Sequence, residues 1–96
     1  MRIIIDCSQE FRETVLERTR LLGFSSYKDY LVHLAQSEAK GLLTLGPDLF
    51  ESGRTARVNF DCNESFKRLV CTRSKVTGCQ SYKEYFQRLV SREKAL

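Results

Sequence analysis

The sequence has few of the residues that interrupt a fold or mark a membrane segment. Its 96 residues include one proline, one methionine and no tryptophan, and the overall composition is that of an ordinary globular chain. No apolar run approaches the roughly 18–20 residues of a membrane-spanning helix, so we expect no membrane partner. The N-terminal run 1–6 is too short and too acidic for a secretion signal, and we therefore expect a cytoplasmic protein.

The sequence also lacks the residue sets that enzymes and metal sites use. Its one histidine, His33, has no ligand-like neighbour, and there is neither a glycine-rich phosphate loop nor a spaced nucleophile and base. We therefore expect no enzymatic activity, no metal and no cofactor. None of the four cysteines forms a C-x-x-C pair, which favours reduced thiols packed as small apolar side chains. A redox or metal-binding role is the alternative for these residues, which are Cys7, Cys62, Cys71 and Cys79.

The whole chain has a net charge of +4, and its positive charge is concentrated in the second half. Residues 2–40 hold six basic and six acidic side chains, whereas residues 57–96 hold nine basic and four acidic ones. The second half, with a balance of +5, is therefore the better candidate for binding a polyanion.

An internal repeat is the strongest signal in the sequence. A shift of 55 residues aligns 2–40 with 57–95 without a gap, and 13 of the 39 positions are identical. The identities include Phe11 with Phe66, Gly23 with Gly78, and most of the segment 26–30. A gapless match of this length predicts one structural unit present twice.

Each copy predicts a strand followed by two helices. Val58 and Phe60 alternate with polar residues, which is typical of a half-buried strand. In residues 2–7 the same period places Ile3, Ile5 and Cys7 inside and Arg2, Ile4 and Asp6 outside. Good helix N-caps and C-terminal glycines then bound the predicted helices, which lie near 9–22, 26–41, 64–77 and 81–94. The first helix of each copy has an apolar face, formed by Phe11, Val15 and Leu22 or by Phe66, Val70 and Thr77.

Residues 41–54 have no counterpart in the repeat. They contain the turn signal Gly46-Pro47-Asp48 and several large apolar residues, which we expect to pack against a shared core. The predicted organisation is a first unit over 1–40, a linker over 41–54 and a second unit over 55–96. These apolar linker residues are Leu42, Leu43, Leu45, Leu49 and Phe50.

The two copies resemble the ribbon-helix-helix (MetJ/Arc/CopG) family. The resemblance rests on the strands at 2–5 and 57–60, the first-helix residues led by Phe11 and Phe66, and the turns at 23–26 and 78–81. It implies a mainly α fold with a two-stranded antiparallel β-ribbon. Family members are usually homodimers, so the tandem copies imply a β-α-α-linker-β-α-α chain that forms one intramolecular pseudo-dimer, as in TraY-type members. Pairing of the strands within the chain would also remove two unpaired sheet edges.

The resemblance also implies double-stranded DNA as the partner, with the ribbon in the major groove. The outward strand residues would then contact bases: arginine suits guanine, asparagine suits adenine, and isoleucine suits the thymine methyl group. These residues are Arg2, Ile4, Asp6, Arg57, Asn59 and Asp61. The alternative is that they form the solvated face of an exposed sheet. The aspartates depart from the family pattern, which leaves open whether they accept from cytosine, orient an arginine or cap the next helix.

A second implied contact is a DNA phosphate at the N-terminus of the second helix of each copy. The residues at these positions are Ser26, Tyr27 and Lys28, and Ser81, Tyr82 and Lys83. Helix capping by Ser26 and Ser81 is the simpler interpretation and is compatible with phosphate binding. The lysines recur at a helix end where a cation opposes the helix dipole, which favours a phosphate partner.

The predicted function is sequence-specific DNA binding, as a repressor or as an accessory protein of a plasmid or phage, for example in conjugative transfer. The implied origin is bacterial, archaeal, phage or plasmid. Because the copies differ, we expect an imperfect palindromic site bound by a monomeric pseudo-dimer, with cooperative binding to adjacent sites left open. The alternative is a protein-interaction module such as an antitoxin or a scaffold. We expect an antitoxin to carry a toxin-binding tail after its second helix, which leaves only the linker for that role here.

Overall fold

The computed structural model describes all 96 residues of the chain, which form two strands and four helices. In chain order the elements are β1 (Arg2–Cys7), α1 (Gln9–Leu21), α2 (Tyr27–Ala39), β2 (Ala56–Asp61), α3 (Glu64–Val76) and α4 (Tyr82–Ala95).

The expected ribbon-helix-helix fold is corrected to a coarser fold class, which is the one that the structure supports. The chain is mainly α, with 55% of its residues in helices, and it contains one two-stranded antiparallel sheet. Its element order is one β-α-α unit repeated. This description replaces the named ribbon-helix-helix fold, because the order of elements does not by itself establish a fold family.

Local capping explains where the helices begin and end. The side chain at each N-cap position accepts a hydrogen bond from the backbone amide three residues later, and the caps are Ser8, Ser26, Asn63 and Ser81. Gly23 and Gly78 have φ near +80°, where residues with a Cβ are strained. The predicted second helix of each copy wrongly included its cap, Ser26 or Ser81. Three of the four predicted helices ran one or two residues too far at the C-terminus, and the last ended one residue early.

The register of the strands gives the molecule an internal pseudo-twofold axis. Ile4 pairs with Asn59, and these two residues occupy equivalent positions in the repeat. On either side, Arg2 pairs with Asp61 and Asp6 pairs with Arg57, so the pattern reads the same in both directions. The pseudo-twofold axis therefore passes through the Ile4–Asn59 pair.

The two copies share one core of 17 buried apolar residues. α2 packs on α4, α1 contacts β2, and α4 contacts β1, so each copy covers the strand of the other. Leu22 was wrongly placed on the apolar face of α1, since it is 46% exposed, and Thr77 is only partly buried. Thr19 and Ser74 take the buried positions instead, because each hydroxyl donates to a carbonyl one turn earlier and needs no other partner.

Two Arg–Glu–Tyr triads join the copies beneath the core. Arg18 donates two hydrogen bonds to Glu93, of 2.9 and 2.6 Å, and the Tyr30 hydroxyl donates to the same carboxylate at 2.7 Å. The equivalent residues repeat this arrangement: Arg73 donates to Glu38 at 2.9 and 2.6 Å, and Tyr85 donates to Glu38 at 2.8 Å. In each triad the arginine and tyrosine come from one copy and the glutamate from the other, so the triads bind the copies together.

The linker lies along α4 and then crosses the start of α1. Arg88 donates from Nε to the Gly46 carbonyl at 2.8 Å, Gln87 donates to Asp48 at 2.8 Å, and the Phe50 ring packs edge-on against Phe11. Leu43 and Leu45 also pack against the core.

Two linker residues do not pack as expected. Leu42 is 78% exposed and Leu49 is 66% exposed. In this extended segment, only side chains that point towards α4 and α1 can reach the core, and the others face solvent.

The remaining sequence expectations concern membranes and cysteines. No helix combines the length and the apolar character needed to cross a membrane. Cys7, Cys62, Cys71 and Cys79 are all free, and no group of three or more His, Cys, Asp or Glu residues is placed to hold a metal ion.

Candidate nucleic-acid interface

The two strands present one exposed face, which we call the ribbon face. Alternation along each strand buries Ile3, Ile5, Val58 and Phe60 and turns their neighbours outward. The antiparallel register then brings six side chains, predicted separately from the two copies, onto a single surface. They are Arg2, Ile4, Asp6, Arg57, Asn59 and Asp61.

Each arginine of the ribbon face pairs with an aspartate on the other strand. Arg2 Nε donates to Asp61 Oδ1 at 2.9 Å, and Arg57 Nε donates to Asp6 Oδ1 at 2.8 Å. These hydrogen bonds lower the pKa of Asp6 and of Asp61 below the ordinary value, so both carboxylates are ionised at neutral pH. The ribbon face therefore carries two positive and two negative charges, and its net charge is zero.

The centre of the ribbon face is apolar on one strand and polar on the other. Ile4 is 40% exposed and lies between the charged residues Arg2 and Asp6 of the same strand. Asn59 lies opposite it on the other strand. The Asn59 side chain makes no hydrogen bond within the chain, so its amide is available to an external partner.

The N-termini of α2 and α4 lie on either side of the ribbon. Ser26 and Ser81 accept from the amides of Asp29 and Glu84, which confirms both serines as caps. The first two backbone N–H groups of each helix lie at its free N-terminal end and have no acceptor inside the chain. These amides belong to Tyr27 and Lys28 in α2, and to Tyr82 and Lys83 in α4.

Two tyrosine hydroxyls hold these helix N-termini against the ribbon. Tyr27 donates to the Asn59 carbonyl at 2.6 Å, and Tyr82 donates to the Ile4 carbonyl at 2.9 Å. Each tyrosine thus contacts the strand of the other copy, at the residue on the pseudo-twofold axis. Tyr27 and Tyr82 were predicted as phosphate contacts, and their hydroxyls are engaged in these intramolecular bonds, which leaves only their backbone amides for that role.

The lysines at the two helix N-termini have different surroundings. Lys28 is exposed and lies close enough to Asp61 to help lower the pKa of that aspartate. Lys83 lies near Asp6 in the same way, but it also donates to the Gly53 carbonyl of the linker at 3.2 Å. Arg54 adds a further positive charge beside Lys83, along an open cavity of about 310 Å³ between the ribbon and α4.

Sequence reasoning gave orientation of an arginine as one of three possible roles for the aspartates, and the structure has these Arg–Asp bonds. The tyrosine–ribbon bonds were not predicted. The Arg–Asp pairs and the tyrosine–ribbon bonds both involve residues that are identical in the two copies. Identity at exposed polar positions was therefore a usable signal. The partner of each side chain could not be assigned, because it depends on the register of the strands.

Comparison with known proteins provides no relative for this chain. No protein-family model matches it, and no match is found among curated proteins or solved structures. The resemblance to the ribbon-helix-helix family therefore stays a prediction.

Proposed function

We propose that this protein binds double-stranded DNA through the ribbon face. One observation carries the proposal: the exposed ribbon and the N-termini of α2 and α4 form a single surface, joined by the bonds from Tyr27 and Tyr82. A two-stranded ribbon has the dimensions to enter the major groove, where its outward side chains meet base edges. The flanking helix N-termini would then meet backbone phosphates.

The outward side chains suit base recognition in chemical terms. The two arginines can donate to guanine, Asn59 can pair with adenine, and the exposed Ile4 can contact the methyl group of thymine. Ile4 is also an apolar side chain that is 40% exposed between charged residues of the ribbon face. Contact with a thymine methyl group would cover this exposed apolar surface.

If the protein binds DNA in this way, most of its affinity comes from basic residues outside the ribbon face, because that face has no net charge. Phosphate contacts supply the salt-dependent part of DNA binding, and the basic residues close to the ribbon at the N-termini of α2 and α4 are Lys28, Lys83 and Arg54. Two of these three flank α4. The second copy would therefore contribute more affinity than the first. Because the outward side chains Ile4 and Asn59 differ between the copies, the preferred site would be an imperfect palindrome.

The proposed biological role is that of a cytoplasmic repressor or of an accessory protein at a plasmid or phage site, including sites of conjugative transfer. The alternative role as an antitoxin or scaffold would need a segment free to hold a partner. The linker is the segment considered for that role, and it is engaged with its own chain through Gly46, Asp48 and Phe50. The structure therefore offers no observation that favours the alternative.

The test is selection of bound duplexes from a random pool at two salt concentrations, followed by titration of the selected sequence. We expect a preferred site, an affinity that falls as salt rises, and a loss of specificity in the double variant Arg57→Ala, Asn59→Ala. Arg68→Ala is the control, since Arg68 pairs only with Glu64 on the exposed side of α3. Unchanged specificity in the double variant would rule out the ribbon as the reader of sequence.

A further inference from the structure

The arginines of the ribbon face and those of the buried triads bind carboxylates differently. Arg18 and Arg73 each donate from both Nε and Nη2, so one whole edge of the guanidinium is used. Arg2 and Arg57 donate from Nε alone. Their two terminal nitrogens make no hydrogen bond within the chain.

This geometry leaves the part of the guanidinium that recognises guanine available. A bidentate contact with guanine uses two parallel N–H groups, one to O6 and one to N7. With Nε donating to an aspartate on the other strand, the edge of the guanidinium formed by the two terminal nitrogens makes no hydrogen bond within the chain in Arg2 and Arg57. An arginine held in this way loses less side-chain freedom when it binds than a free arginine does.

We infer that Asp6 and Asp61 are positioning residues that orient Arg57 and Arg2 to read two guanines, one on each DNA strand. The inference rests on the proposed DNA binding and specifies the kind of DNA sequence that is bound. In the ladder, the Arg2–Asp61 and Asp6–Arg57 pairs are four residues apart, which is about 13 Å along the ribbon. At a rise of about 3.4 Å per base pair, the two guanines lie about four steps apart, symmetrically about the centre of the site.

The alternative role for the two aspartates is electrostatic repulsion of the DNA phosphates. Two double variants distinguish this repulsion from orientation of the arginines. Asp6→Asn, Asp61→Asn and Asp6→Ala, Asp61→Ala both remove two negative charges. Only the asparagine pair keeps an oxygen that can accept from the arginine Nε. Comparison of the two therefore isolates orientation of the arginines from charge.

The experiment measures the affinity of each variant for the selected duplex and for duplexes in which each conserved guanine pair is replaced. We expect the alanine variant to lose about tenfold in discrimination against the replaced duplexes, since one bidentate contact gives roughly 5- to 150-fold. The asparagine variant should keep most of it. Both should bind unrelated DNA more tightly than the native protein, by a similar factor. Glu17→Ala is the control for a lost negative charge, because Glu17 is exposed and makes no hydrogen bond within the chain.

The outcomes separate this inference from the proposed function. If the native protein selects a site without two symmetric guanines, or if both double variants discriminate equally, the inference is wrong and DNA binding by the ribbon stands. If the native protein shows no sequence preference at all, the proposed function fails. Thermal unfolding of every variant shows that each is folded at the temperature of the binding assay.

Discussion

Tyr27 and Tyr82 join two parts of the interface that would otherwise be independent. Their rings pack against the core, and their hydroxyls donate to the carbonyls of Asn59 and Ile4 at the centre of the ribbon. A ribbon of only two strands has little stability of its own. The tyrosine bonds therefore position the N-termini of α2 and α4 relative to the bases that the ribbon would read.

Replacement of both tyrosines, Tyr27→Phe with Tyr82→Phe, tests this positioning role. Loss of each hydrogen bond should cost about 1 kcal/mol of unfolding free energy, because the phenylalanine rings still pack. DNA affinity should fall several-fold, since the helix N-termini are no longer fixed to the ribbon. Denaturant unfolding and titration of the selected duplex measure the two effects.

Tyr30→Phe is the matched control for this pair of substitutions. The Tyr30 hydroxyl donates to Glu93 in a triad on the other side of the core, so its loss should lower stability without a selective effect on DNA. The positioning role would be refuted if the double variant lost no more affinity for DNA than Tyr30→Phe does.

The residues identical in the two copies show what the sequence could predict at this scale. The caps Ser26 and Ser81 and the positive-φ glycines follow from local rules, and the structure has them. Arg18, Glu38 and their equivalents are also identical, yet their pairing was not predicted. A buried ion pair between copies depends on how two helices pack, and periodicity within one helix carries no information about that.

At the scale of elements, the two triads couple α1 and α2 of one copy to the helices of the other. Glu38 is almost fully buried, and hydrogen bonds from Arg73 hold its pKa below the ordinary value despite the opposing effect of burial. For Glu93, burial acts to raise the pKa, but hydrogen bonds from Arg18 and Tyr30 outweigh it and lower the pKa. Burial, followed by the bond to the glutamate, raises the pKa of Tyr30 and of Tyr85 far above the ordinary value.

These lowered pKa values predict a loss of stability in acid. A carboxylate with a depressed pKa in the folded state contributes stability that is full above its unfolded pKa of about 4.3. That stability is lost as the pH falls through the folded pKa. The free energy of unfolding should therefore decrease from about pH 5 downwards, which denaturant titrations at a series of pH values measure.

The double variant Glu38→Gln, Glu93→Gln should lose this part of the pH dependence. Each substitution should also cost about 2–4 kcal/mol near neutral pH, because it leaves a partly buried arginine without its ionised partner. Glu64→Gln is the control, since the Glu64–Arg68 pair is exposed and should contribute little. A pH profile of the double variant parallel to that of the native protein would show that other groups cause the acid transition.

The linker provides a second prediction at this scale, because neighbouring residues in it have opposite surroundings. Phe50→Ala removes an edge-on contact with the fully buried Phe11 ring and should lower the free energy of unfolding by about 1–3 kcal/mol. Leu49→Ala, at a side chain that is 66% exposed, should change it by less than about 0.5 kcal/mol. Equal effects in thermal or denaturant unfolding would mean that the linker does not pack as the structure has it.

Linker packing was also the part of the fold that the sequence predicted least well. Five apolar residues indicated contact with the core, but Leu42 and Leu49 are exposed. The strands and helices were predictable because their apolar residues recur with a fixed period. An irregular segment has no period, so the sequence could not show which of its side chains face the core.

At the scale of the whole molecule, the duplication gives two nearly symmetric sets of contacts, and a few positions differ between the copies. The caps, triads, Arg–Asp pairs and tyrosine bonds occur twice, related by the axis through Ile4 and Asn59. That central pair is itself asymmetric, and the linker occurs only once, with Arg54 beside α4. A single chain can hold such differences in fixed positions, which a homodimer of identical subunits cannot.

The substitution Ile4→Asn tests whether the central pair sets the asymmetry of the DNA site. Both strands then present Arg-Asn-Asp outward, so the ribbon face becomes symmetric in its side chains. We expect the sequences selected by this variant to become palindromic about the centre, while those selected by the native protein are not. Stability should change little, because Ile4 contributes an exposed side chain whose buried neighbours Ile3 and Ile5 remain.

Asn59→Ile is the reciprocal variant and completes the design. It presents Arg-Ile-Asp on both strands, so its selected sites should also be palindromic but should carry a different central base pair, one suited to a methyl contact. If both variants kept the asymmetric site of the native protein, the asymmetry would have to come from the flanks, where Arg54 and Lys83 lie beside α4. Arg54→Ala would then be the substitution that makes the site symmetric.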